Sequence, residues 1–237
     1  MTTNLSAHAA PAVPPFDRRA AVTRSLLGYG VVAGPFYVAV GVIQGLVRDG
    51  FDFSRHPLSV LANGPGGWVQ SANFALTGLM VVAAAIGIAR VLGPGSRGTS
   101  WLLGAYGAGM IAASVLRADP VDGFPVGTPP GPPTTMTTMG MLHFVVATLG
   151  FVALGISCLV AARALARRGE RSFSRWSMAS GLVVFVTFFG GAALSTRPIG
   201  IAGIWIAVLV GWVWLAALSM HLYRKSPSPN CDPSASS

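Results

Sequence analysis

Long apolar runs separated by short polar segments set the pattern of this chain. Six runs stand out, at residues 25–46, 68–92, 100–116, 140–163, 176–194 and 201–223. A helix rises about 1.5 Å per residue, so about 20 apolar residues cross the roughly 30 Å of bilayer hydrocarbon. The run at 100–116 is short for this and extends through Arg117; the run at 176–194 is also short. No run alternates with period two, which argues against a membrane β-barrel. The pattern predicts an all-α polytopic membrane protein, a bundle of six transmembrane helices. The run at 25–46 is too long for a signal-peptide core and reads as a retained first span. Residues 1–24 and 224–237, rich in Ala, Pro and Ser, read as disordered tails.

Composition strengthens this reading. Of 237 residues, 52% are hydrophobic and 10% charged, whereas soluble domains carry about 25% charged residues. Such a chain cannot cover a water-facing surface, so its partner is the lipid bilayer. The net charge of +9 raises nucleic acid as a partner. The basic residues form no stripe, however; they sit at the ends of apolar runs, as topology signals do, so no nucleic-acid partner is expected. With the N-terminus inside, the inner segments hold Arg18, Arg19, Arg24, Arg90, Arg97, Arg163, Arg167, Arg168, Arg171, Arg175, Arg224 and Lys225. The outer ones hold Arg48, Arg55, Arg117 and Arg197. That asymmetry predicts both termini in the cytoplasm. Arg dominance over Lys, with abundant Ala, Gly and Pro, points to a bacterial source and hence to the plasma membrane. Trp68, Trp101 and Trp176 each open a span, as interfacial aromatics do. Gly30 with Gly34, and Gly190 with Gly191, offer close helix approach, and Pro35 is expected to kink the first span. Cys158 and Cys231 form no metal or disulfide motif. No internal repeat supports a duplicated transporter fold.

Polar residues inside the runs favour the outer halves. Tyr37 and Gln44 close the first span, and Gln70, Asn73 and Thr77 lie on one face of the second. Ser114 and Arg117 close the third, His143 opens the fourth, and Thr187 and Ser195 end the fifth. The inner half of the second span is bare of polar side chains. Polar groups are costly in hydrocarbon and tend to face a bundle interior or a cavity. The expectation is an outward-facing polar pocket lined by Gln70, Asn73, Ser114, Arg117 and Asp122. Plain interhelical hydrogen bonding would also place polar residues there.

Two connections frame that mouth. In FDFSRHPLSVLANGPGGW, residues 51–68, Pro57 suits a first helical turn and Asn63-Gly64 its end, so PLSVLAN reads as a short interfacial helix. His56 and Ser59 would point from it to the pocket, with Val60 and Leu61 against lipid or bundle. In 117–143, dense in Pro and Gly, Arg117 is expected to pair with Asp119 or Asp122. His56, Ser59, Asp119 and His143 are the candidate catalytic set, since His and Asp supply acid, base or metal-ligand chemistry. A structural role for each histidine stands beside this.

At HPLSVLANGPGGW and at ADPVDGFPVGTPPG with GMLH further on, the chain resembles the prokaryotic membrane proteins grouped as domain-of-unknown-function family nine-nine-eight. The likeness covers about residues 25–222 and implies a six-span bundle without an assigned activity. An additional histidine before span four is implied for some members. Here Thr137, Thr138 and Met139 stand in that region, which weakens a multi-histidine metal site. Three functions remain open: an enzyme acting on lipid or a lipid-linked group, a small-molecule binder or transporter, and a structural subunit. No GxSxG or HExxH motif occurs, and the sequence assigns no metal, cofactor or oligomeric state.

Overall fold

The computed structural model describes residues 16–133 and 135–230. The tail expectations at 1–15 and 231–237, Cys231 included, lie outside the described residues. Among the described residues six α-helices make up the fold: α1 Arg18–Val47, α2 Gly67–Leu92, α3 Arg97–Ala113, α4 Thr138–Arg167, α5 Arg171–Ala193 and α6 Pro198–Lys225. Two of the helix starts, those of α1 and α4, follow from side-chain capping. The Asp17 carboxylate accepts the Arg19 and Ala20 N–H groups at 2.8 and 3.1 Å, so α1 begins at Arg18, inside the segment expected as a tail. Thr137 starts α4 by accepting the Gly140 N–H. Arginine is a good helix former, so the charged flanks of the apolar runs stay helical until a cap or a glycine ends them.

Five helices, α1, α2, α4, α5 and α6, are long and apolar enough to cross a membrane. The remaining helix, α3, has 17 residues; at 1.5 Å each it spans about 25 Å, short of the roughly 30 Å hydrocarbon core. The outer surface of the bundle is apolar. Leu46, Val47, Trp68, Trp101 and Val186 are each more than 70% exposed, a surface that water would not tolerate and acyl chains do. Trp176, by contrast, turns inward onto Phe173, with ring centroids 5.4 Å apart. This is a multi-pass membrane protein.

Each helix packs on the next, and α6 returns to α1, closing a ring. Neighbours run antiparallel, so both described ends of the chain meet: the Asp17 N–H donates to the Pro229 carbonyl at 3.0 Å. The arginine-rich segments gather at this end. There Arg168 donates to the Leu92 carbonyl, Arg24 lies over the Tyr223 ring, and Glu170 binds Lys225 and His221. Small residues let the helices approach. An added Cβ at Gly34 would sit 2.6 Å from Trp212 Cβ on α6. Gly191 likewise abuts α6, whereas Gly190 faces open space.

The arginine-end half of the ring is a packed core of Leu27, Ile88, Leu103, Leu165, Leu215 and Leu218. Hydroxyls also sit in it: Ser177 Oγ accepts the Trp214 indole N–H, and Ser157 donates to the Thr99 carbonyl. At the opposite end the α1–α2 and α3–α4 connections fold over the ring. The expected short helix forms as a 3-10 turn, Leu58–Ala62, with Leu58, Val60 and Leu61 buried against the bundle rather than lipid.

Candidate functional site

A cavity of about 320 Å³ lies inside the ring at the end covered by the two connections. Its walls come from α1, α3, α4, α5 and α6 together with α2, through Tyr37, Phe74, Tyr106, Phe151, Phe188 and Trp205. The aromatics brace one another. Phe151 stacks on Phe188 with centroids 4.2 Å apart, and Trp212 stands behind Tyr37 and Tyr106 at 5.5 and 5.9 Å. The lining is predominantly apolar. The expected polar lining is therefore corrected: a hollow lies at this end, but its polar side chains are few and none of Gln70, Asn73, Ser114, Arg117 and Asp122 lines it.

Of the candidate catalytic residues, Ser59, Asp119 and His143 line this cavity. His143 is buried in the first turns of α4, with Nδ1 2.8 Å from the Leu116 carbonyl. A carbonyl only accepts, so Nδ1 carries the proton and Nε2 keeps its lone pair. No side chain or backbone group of the described residues bonds that Nε2. Asp119 sits at the α4 N-terminus, where it accepts the Thr137 N–H at 3.0 Å and the Thr137 hydroxyl. The helix dipole favours a carboxylate there. Ser59 is half-buried, and its hydroxyl bonds neither His143 nor any other described residue.

His56 lies elsewhere. It is fully buried, with Nδ1 accepting the Asp52 N–H at 2.9 Å and Nε2 donating to the Asp122 carbonyl at 3.1 Å. Neither ring nitrogen is left for a reacting atom. Around it Phe51 and Phe124 pack at 5.4 and 5.7 Å, and Arg48 lies 4.8 Å over the Phe124 ring. Arg48 also donates to the Leu61 and Asn63 carbonyls, and Asn63 Nδ2 to the Ala118 carbonyl at 2.9 Å. His56 and Asn63 thus tie the two connections to each other.

The remaining polar candidates divide. Gln70 and Asn73 are buried between α1 and α2, outside the cavity. Gln70 Oε1 accepts from Gln44 Nε2 at 2.9 Å and Asn73 Nδ2 at 3.2 Å; Asn73 also donates to the Tyr37 carbonyl and accepts from Thr77. Ser114 donates to the Ile111 carbonyl of its own helix. Arg117 is exposed and pairs with no carboxylate among the described residues. The expected Arg117 pairing is corrected, because both its carboxylates are engaged: Asp119 by Thr137, and Asp122 by Arg55 at 2.6 Å. The hydrogen bond from Arg55, then that from the Gly131 N–H, pulls the Asp122 carboxyl down to about 2. Asp52, hydrogen-bonded by Ser54, also lies below its usual value. Among the described residues no three His, Cys, Asp or Glu side chains gather as metal ligands. Sequence reasoning missed Arg55, Arg48 and the aromatic lining; the basic residues carry a signal only in their excess over what topology requires at this end.

The model of a family described as a protein of unknown function, DUF998, matches residues 31–221. No curated protein and no solved structure matches the chain. With most of the chain covered, both cavity-end connections included, it belongs to the DUF998 family.

Proposed function

We propose that this is a six-span protein of the bacterial plasma membrane, both termini cytoplasmic, whose cavity opens toward the outer leaflet and binds a lipid or lipid-linked molecule. The twelve-to-four distribution of basic residues supports the orientation, and α3, continued by the turn through Leu116, is the sixth span. The carrying observation is the apolar cavity of about 320 Å³ with His143 in its wall, bonded to the Leu116 carbonyl through Nδ1 and with no partner on Nε2 among the described residues. Ligand sites are concave, mostly apolar and punctuated by few polar groups, commonly about 300–1,000 Å³. An acyl or isoprenoid chain fits such walls, and His143 Nε2 accepts a hydrogen bond from its polar group.

Binding is favoured over covalent catalysis. An activated nucleophile needs its base within about 3 Å, and Ser59 has no hydrogen bond to His143. His56 acts as a structural clip, and Gln70 and Asn73 as helix-joining groups. A scaffold role is the second reading, favoured by the buried Gln44–Gln70–Asn73–Thr77 ladder. The test is lipid retention. Protein purified in mild detergent and examined by native mass spectrometry should carry lipid, and Ala147→Trp, which fills the cavity from α4, should lose it while staying folded. Equal lipid retention by both proteins would leave the scaffold reading standing.

A further inference from the structure

A second hollow of about 250 Å³ adjoins the apolar cavity, sharing Pro57, Val121, Pro133, Ser195 and Ile204 as common wall. Its chemistry is different. Ser54, Arg55, Asp122, Ser195, Thr196 and Arg197 line it. Two guanidiniums face one carboxylate, a surplus of one positive charge. Arg55 is already committed to Asp122. Arg197 has no side-chain partner among the described residues, and it stands at the N-cap of α6 without capping it. The partial positive charge of the α6 N-terminus adds to its field.

A cationic vestibule beside an apolar chamber, with shared lining residues between them, has the polarity of an anionic amphiphile. Guanidinium binds phosphate through paired N–H groups, and the Ser195 and Thr196 hydroxyls supply neutral donors beside it. The acidic groups nearby do not oppose this. Asp122 is neutralised by Arg55, Asp119 is held by Thr137 on the α4 side of the chamber, and Asp52, outside the lining, accepts the Ser54 N–H and hydroxyl and faces Arg55. Inside, His143 is more than nine-tenths buried with Nε2 unpartnered, so the chamber also offers an acceptor for a hydroxyl or ester-bearing backbone.

We infer that chamber and vestibule form one site for a phosphate-bearing lipid, its chain between Phe74 and Tyr106 and its phosphate on Arg197. This deepens the lipid-binding reading above and rests on it. The two fail differently under one experiment. Full-length protein in a neutral detergent is titrated by calorimetry with dioctanoyl phosphatidic acid, dioctanoylglycerol and inorganic phosphate. The phosphate-bearing lipid should bind about tenfold or more tighter than dioctanoylglycerol, the scale of a charge-assisted hydrogen bond. Arg197→Gln should erase that preference without weakening dioctanoylglycerol, and Arg197→Lys should keep most of it. In the wild-type protein, added salt should weaken the phosphate-bearing lipid alone. Equal binding of the two lipids by the wild-type protein, or a preference unchanged in Arg197→Gln, would overturn the headgroup inference and leave the lipid cavity standing. Binding of neither lipid would overturn both. Inorganic phosphate binding as tightly as the lipid would reassign the vestibule to a free anion and overturn the amphiphile.

Discussion

Arg55 grips Asp122 from across the mouth of the bundle, with Nη2 2.6 Å from Oδ1 and Nε 2.8 Å from Oδ2. The pair joins two connections 67 residues apart in sequence. It also holds an unusual backbone, since Asp122 has φ 47°, a left-handed conformation that non-glycine residues seldom adopt. The same carboxylate accepts the Gly131 N–H at 2.8 Å, closing the proline-rich loop on itself. Arg55→Ala should therefore loosen both loops together. Hydrogen exchange should rise over residues 51–57 and 120–131, while the buried faces of α4 and α6 keep their protection. Exchange confined to the Arg55 side would show that Asp122 is held by Gly131 alone.

That clip carries a pH dependence of defined sign. The Asp122 carboxyl falls to about 2 from its free value of 3.8, chiefly through Arg55. A depressed acid stabilises the fold above its free value and loses that contribution as pH falls through the folded one. Loop protection should thus be constant at neutral pH, begin to decline just below pH 3.8 and be lost near pH 2. The same titration in Arg55→Ala should decline at higher pH, nearer the free value. Exchange-mass spectrometry at a series of pH values, corrected for intrinsic rates, reads this directly.

Gly140 is required by a close approach rather than by its backbone angles. A Cβ there would stand 2.1 Å from Asp119 Oδ2. Gly140→Ala should push the carboxylate off Thr137 and unseat the cap of α4. Loss of a cap costs about 1 kcal/mol, and a fall in unfolding free energy of that size is expected, measured by titration with a denaturing detergent. Gly104→Ala, where an added Cβ meets nothing within 4 Å, is the control and should be neutral.

How much of this was written in the sequence differs by element. The apolar run 68–92 became α2, Gly67–Leu92, nearly residue for residue, because hydropathy and helix period agree there. The N-terminal flank was harder, since charge marks where hydrocarbon ends and not where a helix ends; Asp17 was the available signal. Gln70, Asn73 and Thr77 were correctly placed on one face, and that face is buried. Its destination depended on Gln44 of the neighbouring helix, which helical period does not name. The aromatic lining comes from six helices at once, so no local spacing marks it. Arg55 and Asp122 belong to different connections, and only the closed ring brings their registers together.

The α1–α2 ladder separates scaffold from site. Gln70 Oε1 serves two donors, Gln44 and Asn73, away from the cavity. Gln70→Leu should leave Gln44 Nε2 with only its long bond to the Val40 carbonyl and Asn73 Nδ2 with only its bond to the Tyr37 carbonyl, and cost about 1–2 kcal/mol, the scale of interhelical hydrogen bonds in membranes. Lipid affinity of the folded fraction should not change. A variant that loses lipid at full stability would place Gln70 in the site after all.

His143 supports the opposite separation. Its Nδ1–H donates to the Leu116 carbonyl, and its Nε2 is the acceptor offered to the cavity. Asn at this position presents one short amide, which can reach that carbonyl as donor but extends less far into the chamber. His143→Asn should therefore keep most of the stability and lose lipid affinity about fivefold to tenfold, the value of one hydrogen bond of about 1–1.5 kcal/mol. His143→Ala removes both roles. It should lose the affinity and also destabilise the junction of α3 and α4, because the Leu116 carbonyl is left without its donor. Calorimetric titration alongside unfolding of each variant separates the roles. If His143→Asn binds lipid as the wild-type protein does, the imidazole is a strut between α3 and α4, and the polar end of the ligand lies elsewhere on the cavity rim.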